Sequence, residues 1–486
     1  MHSPWLTALG ALTVLRLLVA AFAPLSPDEA YYWVWSKALA AGYSDHPPLV
    51  ALWIRAGTWI AGDGALGVRL LAPVAAALGS ILLARASDDL LPNAGAGVIA
   101  AALLNATLLF GIGSVTMTPD TPLLLFWTAT LWALARLVAT GWPGWWLVAG
   151  TAVGLALDSK YTAALLLPAI AVWLGVVPAI RPWLRRWPLW GGALVALLLF
   201  APVLAWNAEH RWISFSRQGG RLEDWNPARG AQFVGELVAG QVGLLTPIIA
   251  LLVAAGIVRA AGGWRDRDPG WLLLAALTIV PLLVFVEHAL GDRVQANWPA
   301  IVYPAGAIAA VGLSRGWSRL VWPGVVLGLA LTSLVWAQCV AAPAALPMRW
   351  DPTLMRLGGW RTLAASVDAA RQRAGATFVV ADNYGVASVL ARLLPAEVKV
   401  VGVDPRWRYF RLPDARPVID GRVGLLVHSV RRRSAPENAD WSTLSPVGAI
   451  ARQRNDVVAE KYELYRVVGR DGTEPAAIMP RALASF

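Results

Sequence analysis

The sequence is poor in cysteine and in charged residues. Cys339 is the single cysteine among 486 residues, which excludes an internal disulfide framework and a metal centre built from several thiolates. Asp, Glu, Lys and Arg together make up 15% of the chain, and long windows contain no charge at all. Soluble domains rarely have so few charges over such a length. The composition therefore argues against a soluble protein.

Hydrophobic residues and tryptophan are abundant instead. Hydrophobic residues account for 57% of the chain, the mean hydropathy is +0.55, and 27 residues are Trp. Tryptophan is enriched where membrane proteins meet the two membrane–water interfaces. The net charge of +11 comes mainly from arginines, many of them between apolar segments. Because such arginines orient membrane helices, we do not interpret the charge as a sign of nucleic-acid binding.

The first apolar segment, residues 5–24, has two readings, a cleaved signal peptide or a membrane helix. The amino terminus lacks a basic cluster, and Arg16 interrupts the apolar run. Both features differ from those of a signal peptide. We therefore expect a retained first helix.

The sequence predicts a polytopic membrane protein of mainly α structure with about eleven transmembrane helices. A spanning helix needs about 20 mostly apolar residues. The candidate windows are 5–24, 65–86, 96–113, 120–139, 143–157, 161–180, 188–206, 235–258, 271–288, 298–314 and 319–340. With a cytoplasmic amino terminus, every inside loop carries arginine, as the positive-inside rule requires. The outside segments are then 25–64, 114–119, 158–160, 207–234 and 289–297, and the carboxyl terminus is also outside.

The last part of the chain, residues 347–486, is polar and of domain size, so we expect a transmembrane domain over 1–346 and a small soluble α/β domain after it. Apolar runs at 377–382, 398–404 and 423–428 predict buried strands. A helical pattern between the first two strands gives the strand–helix alternation of an α/β fold. This part has no G-x-G-x-x-G or P-loop pattern, so no nucleotide is assigned to it.

Five polar clusters fall in the predicted outside segments. The first contains Asp28 and Glu29 directly after a membrane helix, aromatic residues that suit a helix lying along the membrane surface, and then Asp45-His46 before two prolines. The other four are 116–122 with Asp120, 158–161 with Lys160, 206–218 with His210, Arg217 and Gln218, and 287–299 with Arg293.

Each cluster also has a structural interpretation. The loops can simply be solvated, with Trp and Tyr as interfacial anchors. Asp120 can cap a helix, and Lys160 and Arg16 can extend toward the interface or pair with a buried group. Arg16 can alternatively contact a lipid phosphate. The shared side of the five clusters favours a site: carboxylates, a lysine and arginines suit a reaction on an anionic lipid, in which cations hold a phosphate and a carboxylate removes a proton.

Taken in order, these runs resemble the bacterial family 39-type glycosyltransferases, which are relatives of the protein O-mannosyltransferases and of the aminoarabinose transferases of lipid A. The likeness covers about residues 5–315. The matching runs are Pro27-Asp28-Glu29-Ala30-Tyr31-Tyr32-Trp33, Asp45-His46-Pro47-Pro48-Leu49, Thr118-Pro119-Asp120-Thr121-Pro122, Ser159-Lys160-Tyr161-Thr162, 206–218 and Asn297-Trp298-Pro299-Ala300.

The resemblance implies the GT-C architecture, with the active site on the periplasmic or extracellular face of the cytoplasmic membrane. It implies transfer of a sugar from a polyprenyl-phosphate donor to a lipid, glycan or protein hydroxyl, usually with inversion. By this resemblance Asp28 is the general base, Glu29 assists or orients it, and Asp120 is the second acid. Donor-binding candidates are Lys160, Arg293, Tyr31, His46 and Arg16, and His210, Arg217 and Gln218 belong to an acceptor-binding or loop set.

A divalent metal is allowed by the resemblance but no cofactor is assigned. In the aminoarabinose transferases the acid before Lys-Pro-Pro is linked to metal binding, and Asp45 occupies that place. His46 replaces the lysine, which departs from the pattern. Two alternatives to a transferase stay open on the residues alone: a lipid or glycolipid flippase, and an assembly factor whose carboxyl-terminal domain binds a partner.

Overall fold

The structure is a computed structural model that describes residues 4–91, 95–219, 227–313, 315–432, 435–436, 441–470 and 476–481. Residues 220–226 of the predicted outside segment 207–234 therefore lie outside the described part. The chain forms two compact units. The first unit is Met1–Leu17, Ala41–Val50 and Leu71–Leu334, and the second is Leu18–Ala40, Ala51–Leu70 and Val335–Phe486. The predicted domain boundary at 346/347 stays a prediction.

The first unit is helical. Its α-helices are Leu71–Leu90, Ala96–Asn105, Leu108–Gly113, Asp120–Thr140, Trp145–Leu157, Leu166–Val176, Trp187–Glu209, Ile213–Gly219, Pro227–Leu245, Pro247–Gly262, Pro269–Ala289, Tyr303–Val311 and Arg315–Ser318. Short 3-10 helices are Tyr161–Leu165, Arg181–Arg185 and Trp298–Val302. Three further helices contain residues of both units: Pro4–Phe22, Leu49–Ala61 and Val321–Val340.

The structure confirms a multi-pass membrane protein, although it does not confirm the count of eleven spans. Within the described ranges, six helices are long and apolar enough to cross a membrane, or seven if one bent pair counts as a span. The six are Pro4–Phe22, Ala65–Leu90, Asp120–Thr140, Trp187–Glu209, Pro269–Ala289 and Gly316–Val340. Several predicted windows correspond to shorter apolar helices, such as Trp145–Leu157.

Two predicted windows are not continuous helices. The window 96–113 contains two helices, because the first ends at Asn105 and Thr107 caps the second by accepting from Phe110 N. The window 235–258 bends by 111°. There Pro247, which has no N–H, begins a new helix after Thr246, whose φ of 71° no α-helix contains.

Glycines allow two helices of the first unit to approach closely. A Cβ atom at Gly150 in Trp145–Leu157 would overlap the backbone of Gly192 in Trp187–Glu209. One turn later, a Cβ at Gly154 would lie 3.1 Å from the Cα of Ala196. Small residues at such a contact let helix backbones touch, which is a common way for helices to associate in lipid.

The second unit contains the short helices Pro27–Lys37, Ala65–Arg69, Pro352–Leu357, Trp360–Arg373, Tyr384–Leu393 and Arg416–Ile419, the 3-10 helices Met348–Trp350 and Pro405–Tyr409, and a six-stranded sheet. Its strands are β1 (Phe378–Ala381), β2 (Lys399–Gly402), β3 (Val423–Ser429), β4 (Trp441–Arg454), β5 (Val457–Gly469) and β6 (Ala477–Ile478). The order across the sheet is β4-β5-β3-β1-β2-β6.

The centre of this sheet is the predicted α/β core. Strand β1 pairs in parallel with β2 and β3, with Val380 opposite Val401 and Leu426. All four residues of β1 are buried, which explains its continuous apolar sequence. Strands β4, β5 and β6 add antiparallel pairs. The predicted small α/β domain is therefore confirmed, with a longer mixed sheet than the sequence indicated.

Candidate active site

Asp120 lies at the centre of a polar cluster in the first unit. It is the first residue of the helix Asp120–Thr140, where a negative charge favours the positive end of the helix dipole. Its Oδ1 accepts from the Lys160 ammonium at 2.7 Å, and its Oδ2 accepts from the Asn297 amide at 2.8 Å. Lys160 is only 6% exposed. Three of the five predicted clusters therefore meet at one carboxylate.

Asp45 joins the remaining two clusters of this unit. The Arg217 guanidinium donates to its Oδ1 at 2.9 Å, and the Gln218 amide donates to its backbone carbonyl at 2.8 Å. Both partners lie on the short helix Ile213–Gly219. The contact joins residues more than 170 positions apart in the chain.

The segment 158–161 links the two groups. The Leu49 amide donates to the Asp158 carbonyl at 3.1 Å, which ties the Asp45 turn to the residues before Lys160. On the other side, Tyr161 and Ser214 share a hydroxyl–hydroxyl hydrogen bond of 2.6 Å, and Ser214 donates to Asn207. Clusters that are separate in sequence thus form one connected polar region of the first unit.

Asp158 is electrostatically the most perturbed residue of this region. Burial raises the pKa of its carboxyl to about 7. Its Oδ1 is buried with no hydrogen-bond partner among the described residues. The cause is that removing solvent disfavours the charged form of a carboxyl.

The other predicted residues of the first unit occupy different surroundings. Arg293 is exposed and makes a two-point contact with Glu236. His210 donates from Nδ1 to the Trp206 carbonyl at 2.7 Å and stacks on the Trp206 ring. His46 follows Asp45 in a turn, and its backbone carbonyl accepts a hydrogen bond from the Tyr43 amide.

Arg16 is fully buried within the first membrane helix. Its guanidinium lies 5.6 Å from the centre of the Phe110 ring. None of its side-chain nitrogens has a hydrogen-bond partner among the described residues. Intramembrane arginines normally pair with another group, so the predicted contact of Arg16 with a lipid phosphate stays a prediction.

Asp28 and Glu29 begin the helix Pro27–Lys37 of the second unit. Ser26 caps this helix: its hydroxyl accepts from Glu29 N at 3.2 Å, while Glu29 Oε2 accepts from Ser26 N at 2.9 Å. This reciprocal pair is a capping box, which fixes the first turn. Glu29 also forms a fully buried ion pair with Arg69 at 2.5 Å. Glu29 is thus committed to holding the helix start, on which Asp28 is carried.

Asp28 is the more accessible of the two acids, with a side chain 39% exposed. Its Oδ1 accepts from the Tyr384 hydroxyl at 3.2 Å. Its Oδ2 lies 3.5 Å from the Arg356 guanidinium, in an ion pair that is exposed on both sides. Both partners come from the carboxyl-terminal part of the same unit.

Tyr31 packs inside an aromatic cluster. It is 2% exposed, and its ring lies 4.5 Å from that of Tyr384, 5.1 Å from Trp35, 5.5 Å from Trp407 and 6.0 Å from Phe410, measured between centroids. The structure therefore gives Tyr31 a packing role. Its predicted contact with the donor stays a prediction.

The side chains around Asp45 do not suit the binding of a resident divalent metal. Arg217 already occupies Asp45 Oδ1, and a metal would have to displace that cation. Among the described residues, no group of three or more His, Cys, Asp or Glu side chains could hold a metal ion. Hard divalent cations need several oxygen ligands, so no step proposed below uses a metal.

Sequence reasoning missed four residues of these sites. Asn297 was part of a quoted run but received no role. Arg69 carried a signal, because it is a charge within an apolar window and such residues usually have a buried partner. Tyr384 and Arg356 carried none, since they are more than 320 positions from Asp28.

The fold agrees with that of a protein of known structure. The structure is similar to the crystal structure of ArnT from Cupriavidus metallidurans bound to undecaprenyl phosphate, with a TM-score of 0.62 and 16% sequence identity. The likeness covers 96% of this chain and 98% of that one. The predicted architecture, a polytopic helical body followed by a small α/β domain, is confirmed.

Sequence comparisons indicate the chemistry of the relatives. Residues 45–206 match the family described as dolichyl-phosphate-mannose-protein mannosyltransferase. The chain is 29% identical over 390 residues to the lipid A galacturonosyltransferase RgtD of Rhizobium johnstonii, covering 78% of this chain and 80% of the relative. It is 28% identical over 332 residues to the undecaprenyl phosphate-alpha-4-amino-4-deoxy-L-arabinose arabinosyl transferase of Edwardsiella ictaluri. That match covers 60% of this chain and 55% of the relative.

These matches confirm the predicted resemblance and the predicted class, a membrane glycosyltransferase. They give no support to the flippase alternative.

Proposed function

We propose that this protein moves a sugar from a polyprenyl-phosphate carrier to a hydroxyl of a lipid A-type glycolipid, on the outer face of a bacterial cytoplasmic membrane. The observation that carries the proposal is the convergence of Asp45, Asp120 and Lys160, with their partners Arg217 and Asn297, from separate segments of the first unit. The named activity of the galacturonosyltransferase relative supports the acceptor class, and the undecaprenyl phosphate in the name of the arabinosyl transferase relative supports the donor class.

The proposed chemistry is a single displacement. Asp28 accepts the proton of the acceptor hydroxyl as that oxygen attacks the anomeric carbon of the donor sugar. The bond between this carbon and the phosphate oxygen breaks, the phosphate leaves with the bonding electrons, and the anomeric configuration inverts. Phosphate is a good leaving group, so one positioned base suffices.

Cations stabilise the charge that develops on the leaving phosphate. Lys160 is the first candidate, because it is nearly buried and an ammonium in such surroundings interacts strongly with an anion. Its ion pair with Asp120 holds it in place before the donor arrives. Arg293 is more exposed and paired with Glu236, which makes it the second candidate.

Arg16 is proposed to contact the lipid-linked phosphate. The supporting observation is its buried guanidinium without a hydrogen-bond partner among the described residues. Arg16 lies six residues before the end of the helix Pro4–Phe22, which is about 9 Å along the helix axis. A lipid phosphate that enters from the interface can reach this depth.

The outward orientation is also part of the proposal. The arginines of the alternate loops support it through the positive-inside rule. The polyprenyl donor, the membrane lipids and the glycolipid acceptor are the expected partners. The carboxyl-terminal domain would then lie outside as well.

The test uses purified full-length protein in lipid vesicles, with radiolabelled polyprenyl-phosphate sugars and lipid A as the acceptor. The Asp28→Asn variant should lose about 10²–10⁴-fold in turnover, as expected for loss of a general base. Asp414→Asn is the matched control, since Asp414 pairs with Arg416 at the surface and has no proposed role. Full turnover by Asp28→Asn would remove the catalytic assignment.

Separate arms identify the sugar and the topology. Galacturonic acid and aminoarabinose donors are compared at equal concentration, since the two relatives are named for these sugars. Cysteine substitutions in 26–48 are labelled from outside intact cells. Labelling only after the membrane is permeabilised would place this segment in the cytoplasm and overturn the orientation.

A further inference from the structure

Two helices of the second unit have neighbouring first turns, and each first turn is capped. Ser26 caps the helix Pro27–Lys37 through the capping box. Asn383 caps the helix Tyr384–Leu393, because its side chain accepts from the backbone N–H groups of Gly385 and Val386. Capped first turns are well fixed, since their otherwise unpaired N–H groups have partners.

The two capped turns are in direct contact. A Cβ atom at Gly385 would lie 2.9 Å from the Cβ of Pro27, which is closer than side-chain carbons approach in proteins. The second residue of one helix therefore packs against the first residue of the other. This leaves the neighbours on each side, Asp28 and Tyr384, within hydrogen-bonding distance.

The Tyr384 ring packs against two side chains, and its hydroxyl contacts Asp28. Its ring lies 4.5 Å from the Tyr31 ring, and the Arg406 guanidinium lies 4.1 Å from its centroid. The hydroxyl donates to Asp28 Oδ1 at 3.2 Å. A ring fixed in this way loses little further freedom when it makes the hydrogen bond, so the bond orients the carboxylate at low entropic cost.

Arg356 contacts the same carboxylate in a different manner. Its side chain is 62% exposed and its Nη1 lies 3.5 Å from Asp28 Oδ2. Exposed ion pairs of this geometry contribute little. The better-fixed partner of Asp28 is therefore Tyr384, and Oδ2, which faces the exposed Arg356 side chain, is the oxygen left for a substrate hydroxyl.

We propose that Tyr384 is a positioning residue for the transferase reaction: its hydroxyl holds Asp28 Oδ1 so that Oδ2 faces the acceptor hydroxyl. The carboxyl-terminal part of the chain thereby orients the reacting carboxylate, in addition to any role in acceptor recognition. This inference rests on the proposed catalytic role of Asp28. A base must be correctly oriented toward the proton it removes, and small misplacements cost large factors in rate.

The experiment measures kcat and KM for donor and acceptor with full-length protein in vesicles. Tyr384→Phe keeps the ring and removes the hydroxyl, so kcat should fall about tenfold, as expected for loss of one hydrogen bond to a charged group. Both KM values should stay within about twofold of wild type. Tyr465→Phe is the matched control, because it also removes a hydroxyl–carboxylate hydrogen bond, here to Glu463 on the same strand as Tyr465.

A double-mutant cycle distinguishes positioning from packing. In an Asp28→Asn background, Tyr384→Phe should have no further effect on the residual rate, because its action passes through Asp28. A second tenfold loss in that background would show that Tyr384 acts elsewhere and would overturn the inference. An unchanged kcat for Tyr384→Phe in the wild-type background would do the same.

The cycle also separates this inference from the proposed function. If Asp28→Asn keeps full activity, the catalytic assignment fails, and the inference fails with it. If Asp28→Asn is inactive while Tyr384→Phe is fully active, the assignment stands and the positioning role falls. Should Tyr384→Phe fold poorly, a fluorinated tyrosine at position 384 keeps the ring and hydroxyl but changes the donor strength. The rate must then change if the hydroxyl acts on Asp28, whereas packing alone predicts no change.

Discussion

The ion pair between Arg69 and Glu29 is the strongest single constraint on the start of the Asp28 helix. Arg69 donates to both oxygens of Glu29, at 2.5 and 2.7 Å. It also donates to the carbonyls of Ala20, Ala23 and Pro24 at 3.2, 2.7 and 2.8 Å. The two side chains are 1% and 0% exposed. Five hydrogen bonds thus depend on one guanidinium.

Arg69→Ala should therefore destabilise the protein strongly. Removing one partner of a buried ion pair costs about 3–5 kcal/mol, because the remaining charge stays buried without compensation. Each kcal/mol lowers the melting temperature of a unit of this size by about 2–4 °C. The expected fall is about 6–20 °C. Turnover should fall as well, since the helix that carries Asp28 loses its anchor.

The assay is thermal unfolding in detergent, followed by the fluorescence of the 27 tryptophans. Arg136→Ala is the control, because its pair with Asp89 is partly exposed and should be worth about 0–1 kcal/mol. The double variant Arg69→Met with Glu29→Gln removes both charges and should recover more than half of the loss.

Two results would contradict this reasoning. The first is a melting temperature for Arg69→Ala that matches that of Arg136→Ala. The second is a double variant that is less stable than Arg69→Ala alone. Either would mean that the buried charge on Glu29 is not what the arginine compensates.

Three further predictions concern the polar region of the first unit. Lys160→Met should lower turnover about 100-fold or more in the vesicle assay, because the missing ammonium no longer stabilises the leaving phosphate. Adding Asp120→Asn to this variant should restore none of the lost turnover. Wild-type turnover by Lys160→Met would refute the proposed role of Lys160. Asp158→Asn should raise the melting temperature more at pH 8 than at pH 5: burial raises the pKa of this carboxyl from the usual 3.8 to about 7, so the stability that the wild type has at low pH is lost progressively as the pH rises from about 4 through 7. An equal shift at both pH values would contradict it. Arg217→Ala should raise the KM for the acceptor several-fold and leave the KM for the donor unchanged, since the variant releases the Asp45 turn; a change confined to the donor KM would exclude the acceptor role.

The sequence predicted the elements whose patterns are strong and local. Strands β1, β2 and β3 were predictable because they are short apolar runs buried on both faces. Strands β4 and β5 escaped notice, because exposed positions interrupt them and bulges shift the register near Pro446 and Gly448. Their pairing stabilises them, and pairing partners are not visible in a single strand.

The contacts of the candidate site were likewise predictable only where a local sequence pattern marks them. The convergence of Asp120 with Lys160 was inferred from a shared side of the membrane and an ordered set of motifs. The contact between Asp28 and Tyr384 could not be inferred, because no local pattern marks residues that meet only through the packing of two helix starts. The bend at Thr246 was also missed, since hydrophobicity continues through it even though the backbone does not.

The glycine contact between Trp145–Leu157 and Trp187–Glu209 has a consequence for how the chain enters the membrane. A 13-residue apolar helix is shorter than the hydrocarbon layer and inserts weakly alone. The 23-residue helix with which it packs is long enough to insert by itself. During synthesis the shorter helix is therefore stably inserted only after the longer helix, which begins about 40 residues later, has been made and packs against it. Bulky substitutions at Gly150 or Gly192 would then appear as failed assembly and rapid degradation, with little effect on the activity of the molecules that do assemble.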